Sequence, residues 1–386
     1  MNTYLSRHLE TKLLESAARY PAVVITGPRQ VGKTSLVKAI QTRLGRPSVY
    51  LDLEYPEDQN KLSNPALFFE HMQEQVVIID EVQRMPELFP VLRAVIDRYR
   101  QPGRFILLGS ASPDIIRDSS ESLAGRVAYL ELMPLSAIEL PGLPYSQLWL
   151  RGGFPESVLA ASEADSLDWR ENFIQTYLER DLPLLGLKAD PMLVRRLWTM
   201  LAHLNGQLLN LESLSRSLGI TSPTVRRYMD FLESAFLITR LAPYAWNTKK
   251  RLVKSPKVFL RDTGLLHSLL SIQDYGQLLG HPSLGSSWEA YVFQQIRSLQ
   301  SPRTELHFYR TQDGAEADLI VAQGGIPKAV AEIKFSTSPK PSRGFYEVMQ
   351  DLGLAQGYLI CPVESSYPLS GRVTVLSYRE LGRVLG

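Results

Sequence analysis

The apolar positions of the chain fall into short solid runs separated by stretches with a helical period. Leu5, Leu9, Leu13 and Leu14 recur at helical intervals, which predicts an amphipathic helix over residues 4–19. The run PAVVIT that follows reads as a short buried strand, and SVYLDLE, QVVIID, RFILLG and RVAYLEL repeat that signal. Between them lie helical patterns from about Lys33 to Leu44 and in PELFPVLRAVIDRYR, which carries a proline in its first turn. Short apolar strands alternating with helices predict an α/β fold built on a doubly wound parallel sheet. From about Pro134 to Leu241 strand signals nearly vanish and helical spacing dominates. A basic, proline-containing connector follows, and from about Ser286 the pattern returns to helix, three strands, helix and strand. The expected organisation is a first α/β core over residues 1–140, a helical region with the basic connector over 141–265, and a second α/β unit over 266–386.

Composition narrows this picture. Forty-four per cent of the 386 residues are hydrophobic and 21% are charged, ordinary values for a chain that builds real cores. The net charge of +2 means that any nucleic-acid-binding face must be a local patch. The single cysteine, Cys361, excludes an internal disulfide and a cysteine-based zinc site, and it suits a cytoplasmic location. The first twenty residues lack the apolar stretch of a signal peptide. No run of about 18 apolar residues is present, so no membrane partner is expected.

The most specific chemistry lies after the first strand. Residues 27–34 read GPRQVGKT, a full match to G-x-x-x-x-G-K-[ST] between an apolar strand and a helix. Gly27 and Gly32 let the backbone turn, so that N–H groups of Pro28–Ser35 (Arg29, Gln30 and Val31 among them, proline excepted) can face phosphates. The helix start adds partial positive charge. Lys33 is placed to reach the β and γ phosphates of ATP, and the Thr34 hydroxyl to ligate Mg2+. The run QVVIIDE supplies the matching acid, Asp80, at the end of a strand, where such sheets bind ligands. Glu81 is next, either the residue that polarises the attacking water or a solvated helix start. Ser110 ends RFILLGS and is either a γ-phosphate or water contact or a turn serine. Arg126, in ESLAGR, is either a plain surface arginine or a finger acting on a neighbouring subunit, a role worth about 10³–10⁵ in rate elsewhere.

These stretches, taken with RGGFPE, YLERDL, KSPKVFLRDTGL and AEIKFS in order, resemble bacterial and archaeal AAA-type ATPases with a C-terminal restriction-endonuclease-like domain. The resemblance covers nearly the whole chain. It implies an AAA-type sheet, a helical lid, a winged-helix region and a nuclease-like end. RGGFPE is similar to the glycine-x-proline lid motif of signalling-type P-loop ATPases, which implies that Pro155 packs near the nucleotide base. A finger supplied in trans implies a homo-oligomeric ring.

Two further regions carry candidate chemistry. NLESLSRSLGITSPTVRRYMDFLESAFLITRL reads as helix, turn, helix, strand, with Asn210 and Ser222 as caps and Gly219 as the stop. This is a winged helix-turn-helix pattern, a DNA reader or a structural lid. The connector holds Arg240, Lys249, Lys250, Arg251, Lys254, Lys257 and Arg261 with Tyr244 and Trp246 among them, either a nucleic-acid track or a solvated hairpin. At the C-terminal end, Glu332 and Lys334 are two apart on one strand and share a face, and Asp318 on the adjacent strand can join them. Two carboxylates and a lysine can hold a divalent metal and orient water. The set resembles the D-x(n)-E-x-K core of restriction-type nucleases, with Glu289 as the first-helix acid and Ala317 in place of a proline. The alternative is a set of ordinary surface pairs. His267, His281 and His307 show no ligand spacing. Two functions are therefore open: an ATP-driven enzyme whose nucleotide state controls a nuclease-like domain on DNA or other nucleic acid, or a nucleotide-gated switch whose C-terminal domain binds without cutting.

Overall fold

The computed structural model describes residues 4–110, 123, 125–184, 186–245 and 250–386. Two compact units emerge, Met1–Pro141 with Ser234–Phe236, and Gly142–Glu233 with Leu237–Gly386.

The first unit is organised by five strands: β1 (Ala22–Thr26), β2 (Ser48–Asp52), β3 (Val76–Asp80), β4 (Phe105–Gly109) and β5 (Val127–Glu131). They lie in the order β2-β3-β4-β1-β5 and every pairing is parallel. Solid apolar runs are what such a sheet requires, because alternate residues must enter different cores. Ala22, Val24, Val77, Ile79, Phe105 and Leu107 pack into one core. Val23, Ile25, Val76, Ile78, Ile106 and Leu108 pack into the other. The N-terminal helix is shorter than its periodicity predicts, Leu9–Ala17, and the helix after the glycine loop runs Lys33–Ile40 before a single 3₁₀ turn. Two short helices, Pro56–Lys61 and Pro65–His71, leave too few residues for a periodic signal. Each opens on a proline, whose missing N–H costs nothing at a helix start.

The second unit begins with helices. The pair Leu211–Leu218 and Ser222–Ser234 forms as expected, with Asn210 accepting from the Ser213 N–H at 3.0 Å and Gly219 left-handed at the stop. The cap of the second helix is Thr221, whose hydroxyl accepts from the Thr224 N–H at 3.4 Å; Ser222 is already helical. Strand β6 (Ile238–Leu241) pairs antiparallel with β7 (Lys257–Leu260). Helix Leu284–Ser298 leads into a mixed sheet of β8 (Thr304–Arg310), β9 (Glu316–Gln323), β10 (Ile326–Ile333), β11 (Gly357–Cys361), β12 (Tyr367–Pro368) and β13 (Val373–Ser377). Its order is β12-β13-β11-β10-β9-β8. The first three of these strands form an antiparallel meander, after which helix Arg343–Asp351 carries the chain to the parallel β11. Strands β12 and β13 go beyond the single last strand that the pattern predicts.

Candidate functional site

The loop between β1 and helix Lys33–Ile40 is shaped by steric exclusion. Gly27 has φ +150°, and a Cβ there would stand 2.3 Å from the Leu132 carbonyl oxygen, so no other residue fits without moving the backbone. Gly32 is left-handed immediately before the helix. Pro28 and Val31 are buried, Arg29 is half-buried and Gln30 is exposed. Ser35 is exposed in the first helical turn. The Lys33 ammonium is folded onto the loop, donating to the Gly27 carbonyl at 3.0 Å and the Pro28 carbonyl at 2.9 Å. Burial pushes its pKa down to about 8, against the pull of Glu81 and Asp80.

Three adjacent strands deliver the remaining groups to the same carboxyl edge. Asp80 closes β3, and its Oδ2 accepts from the Thr34 hydroxyl at 2.5 Å and the Tyr50 phenol at 2.7 Å. Glu81 follows in the left-handed region at φ 52°, with its N–H donating to Asp80 Oδ1 at 2.9 Å. Ser110, just past β4, donates to Glu81 Oε2 at 3.0 Å. Gln83 donates both to that same carboxylate oxygen and to the Ser110 hydroxyl, the latter at 3.0 Å. The sequence pattern did not single out Gln83 or Tyr50, since each acts only through the folded edge. Thr34 and Asp80 present hard oxygen atoms side by side, the donor type that magnesium takes.

Arg126 is elsewhere. It immediately precedes β5, at the amino end of a strand parallel to β1, whereas the glycine loop follows the carboxyl end of β1. Its guanidinium pairs with Asp97 through two bonds of 2.6 and 2.8 Å. The rest of the ESLAGR stretch, apart from Leu123 and Gly125, lies outside the described residues, as does LLGSAS beyond Ser110. A second arginine, not foreseen, supports the glycine loop from beneath. Arg7 is buried, donates to the Val31 carbonyl at 3.0 Å and the Met133 carbonyl at 2.6 Å, and pairs with Glu139 at 3.0 Å.

In the second unit, RGGFPE is a packing motif. Gly152 has φ +75°, and a Cβ there would stand 2.1 Å from Asp262 Oδ1. The Gly153 N–H donates to Asp262 Oδ2 at 2.7 Å, while Oδ1 accepts from the Leu265 N–H at 2.9 Å. The two glycines thus admit a buried carboxylate from the KSPKVFLRDTGL stretch. Pro155 opens the one-turn helix Pro155–Val158 and is half-buried.

Three of the seven basic residues of the connector form ion pairs among the described residues. Arg240 pairs with Asp230 at 2.8 Å and with Glu233. Lys250 pairs with Asp351 at 2.8 Å, and Lys257 is buried among carboxylates. Arg251 and Lys254 are exposed, as are Arg226 and Arg227 on the second helix of the pair. Trp246 and Lys249 lie outside the described residues.

Asp318 and Glu332, the expected metal pair, each have protein partners. Among the described residues, no group of three or more His, Cys, Asp or Glu side chains is arranged to hold a metal ion. Asp318 faces Lys257 at 3.6 Å and accepts from the Ile333 N–H at 2.8 Å. Glu332 pairs with Lys334 at 3.1 Å and accepts from the Ser342 N–H at 2.9 Å. Glu289 pairs with Lys257 at 3.0 Å. Lys257 reaches this cluster from a strand remote in sequence. His267 is fully buried between the Leu150 carbonyl and the Ser287 hydroxyl, a packed histidine.

The β2-β3-β4-β1-β5 order has a glycine loop after β1, an acid pair after β3 and a polar residue after β4, a P-loop arrangement, and residues 19–140 match the AAA domain model. Residues 143–275 and 284–381 match the domains of unknown function DUF8612 and DUF4143. The chain is 43% identical over 370 residues to an uncharacterized protein of Mycobacterium tuberculosis, covering 96% of this chain and 83% of the relative, and equally to one of Mycobacterium bovis. It belongs to one family with these mycobacterial proteins. An uncharacterized protein of Haemophilus influenzae is 26% identical over 272 residues, 63% of this chain and 67% of the relative. A Walker-type ATPase of Pyrococcus abyssi superposes with a TM-score of 0.48 at 17% identity, over 69% of this chain and 96% of that one. No helix among the described residues is long and apolar enough to cross a membrane.

Proposed function

We propose that the chain binds and hydrolyses ATP and that its nucleotide state controls the C-terminal region, which binds a partner without cutting nucleic acid. The observation that carries the reading is the convergence of Lys33, Thr34, Asp80, Glu81 and Ser110 on one edge of the first sheet. Lys33 exchanges its two loop carbonyls for the β and γ phosphates. Thr34 and Asp80 would hold magnesium, which would supply positive charge against the phosphates. Glu81 orients the attacking water and takes its proton, and Ser110 fixes the Glu81 carboxylate for that task. Pro155 serves as the lid contact to the base, a role supported by the similarity of RGGFPE to the signalling-type motif. Arg126 completes the site of a neighbouring copy in a homo-oligomeric ring, supported by its place at the far end of its own sheet.

A second reading, in which the chain acts on DNA, is favoured by the helix pair with Arg226 and Arg227 exposed on a winged-helix-like element. One assay separates the two. Purified protein is given ATP and Mg2+ with plasmid or single-stranded DNA, and phosphate release and strand breaks are read together. Turnover lost in Lys33→Ala without strand breaks is the expected result. Strand breaks lost in Asp318→Ala would instead favour a nuclease, and turnover that persists in Lys33→Ala would remove the ATPase reading.

A further inference from the structure

Charged side chains from four elements of the second unit meet around β9, and a lysine stands at their centre. Lys257, on β7, has a side chain only 4% exposed. Its ammonium lies 3.0 Å from Glu289 of helix Leu284–Ser298, 3.0 Å from Glu316 and 3.6 Å from Asp318, both of β9. Glu316 and Asp318 are two apart on that strand and so face the same side. The ammonium therefore lies among three carboxylates.

The surrounding bonds leave little for an added ion. The second oxygen of Asp318 is used by the Ile333 N–H, and both oxygens of Glu332 are used, by Lys334 and by the Ser342 N–H. Arg310 approaches the second oxygen of Glu316 at 3.4 Å. Four carboxylates, those of Glu289, Glu316, Asp318 and Glu332, thus pair with three cations, the buried Lys257 and the more exposed Lys334 and Arg310. Magnesium demands near-octahedral oxygen ligands at about 2.0–2.1 Å. To obtain them here it must expel a buried ammonium and remain beside two further cations.

We infer that Lys257 is the resident cation of this cluster, a tethered ammonium in the place of a divalent metal, so that the C-terminal region keeps its acidic residues together without metal and carries out no metal-dependent cleavage. The lysine also ties β7 to helix Leu284–Ser298 and β9 through one buried charge. This inference deepens the non-cutting reading above and is independent of ATP turnover.

The test counts bound Mn2+ by electron paramagnetic resonance on the full chain, free of nucleotide, in four versions: wild type, Asp318→Asn, Lys257→Met and the double variant. Phosphate release from ATP is measured on the same preparations, so that failure of the ATPase reading shows separately. Any manganese at the ATP site is common to all four and cancels. Wild type and Asp318→Asn are expected to bind the same amount. Lys257→Met is expected to gain about one Mn2+ per chain, with at least tenfold tighter binding than wild type, and the double variant to lose it. Manganese in the wild type that Asp318→Asn removes would overturn the inference, as would a folded Lys257→Met that gains none. If Lys257→Met does not fold, Lys257→Gln takes its place, and the comparison of wild type with Asp318→Asn decides the matter by itself.

Discussion

Thr34 and Asp80 are 46 residues apart and share a hydrogen bond of 2.5 Å across the carboxyl edge of the first sheet. The bond joins the hydroxyl at a helix start to the last residue of a strand two places away from β1. Tyr50 donates to the same oxygen from β2 at 2.7 Å, so the acid is aimed from two sides before any ligand arrives. Preorganisation of this kind is what lets a site act on charge without reorganising during the reaction.

Lys33 shows the cost of that readiness. Its ammonium is buried against two carbonyls, and burial lowers its pKa to about 8 from 10.5. The folded protein therefore binds fewer protons than the unfolded chain between about pH 8 and 10.5. The penalty is full below pH 8 and is relieved as pH rises through that window. Lys33→Met should abolish ATP binding and still stabilise the nucleotide-free protein at pH 7, by at most about 3 kcal/mol. Thermal unfolding of both proteins at pH 7 and pH 10 checks this. A variant less stable than wild type at pH 7 would contradict the account.

Glu81 is held by Ser110 and Gln83 rather than pointing free. Glu81→Gln should keep ATP bound and lower kcat by at least about 100-fold, since a positioned base contributes about 10²–10⁴. Gln83→Ala should leave KM unchanged and lower kcat by roughly 10-fold, because the carboxylate survives but loses its orientation. Steady-state phosphate release with a parallel nucleotide-binding measurement separates the two. Equal kcat for wild type and Glu81→Gln would show that another group takes the proton.

What was legible in the sequence was what is local in it. The glycine loop is written in eight consecutive residues, and the apolar run ending in Asp80 and Glu81 declares both a buried strand and its chemical end. Gln83 is only two residues from Glu81, yet its role depends on Ser110 being delivered by β4. Lys257 was read as one more cation of a basic run, because its partners lie 32, 59 and 61 residues away and only packing brings them together. The glycines of RGGFPE were legible only as part of a motif, and their partner was not, because Asp262 arrives from 109 residues downstream of Gly153.

Arg126 offers a test of assembly. Within its own chain it pairs with Asp97, at the end of the sheet opposite the glycine loop. If it acts on a neighbouring copy, specific activity rises with protein concentration, and Arg126→Ala mixed with Glu81→Gln recovers part of the lost turnover at mixed interfaces. Asp97→Asn removes the internal pairing but keeps the arginine, so it should retain turnover where Arg126→Ala does not. Loss of turnover in both variants alike, with no recovery on mixing subunits shown to exchange, would mean that the pair matters only as a pair within one chain.

The clasp between Gly152 and Asp262 predicts a large effect from a single methyl group. At φ +75° an L-residue is strained whatever the space, and here an alanine Cβ would also stand 2.1 Å from Asp262 Oδ1 and 2.6 Å from its Cγ. Asp262 cannot simply withdraw. It is 4% exposed, and its two oxygens accept from the Gly153 and Leu265 N–H groups, so moving it leaves buried donors without partners. Gly152→Ala should therefore destabilise the protein by roughly 2–4 kcal/mol, the sum of backbone strain and displaced hydrogen bonds. Asp262→Ala removes the obstruction along with those bonds, so the double variant should be less destabilised than the sum of the two singles, a coupling of about 1 kcal/mol or more. Denaturant unfolding of the four proteins, followed by tryptophan fluorescence, measures the cycle. Strict additivity would show that the methyl group and the carboxylate do not compete for one place.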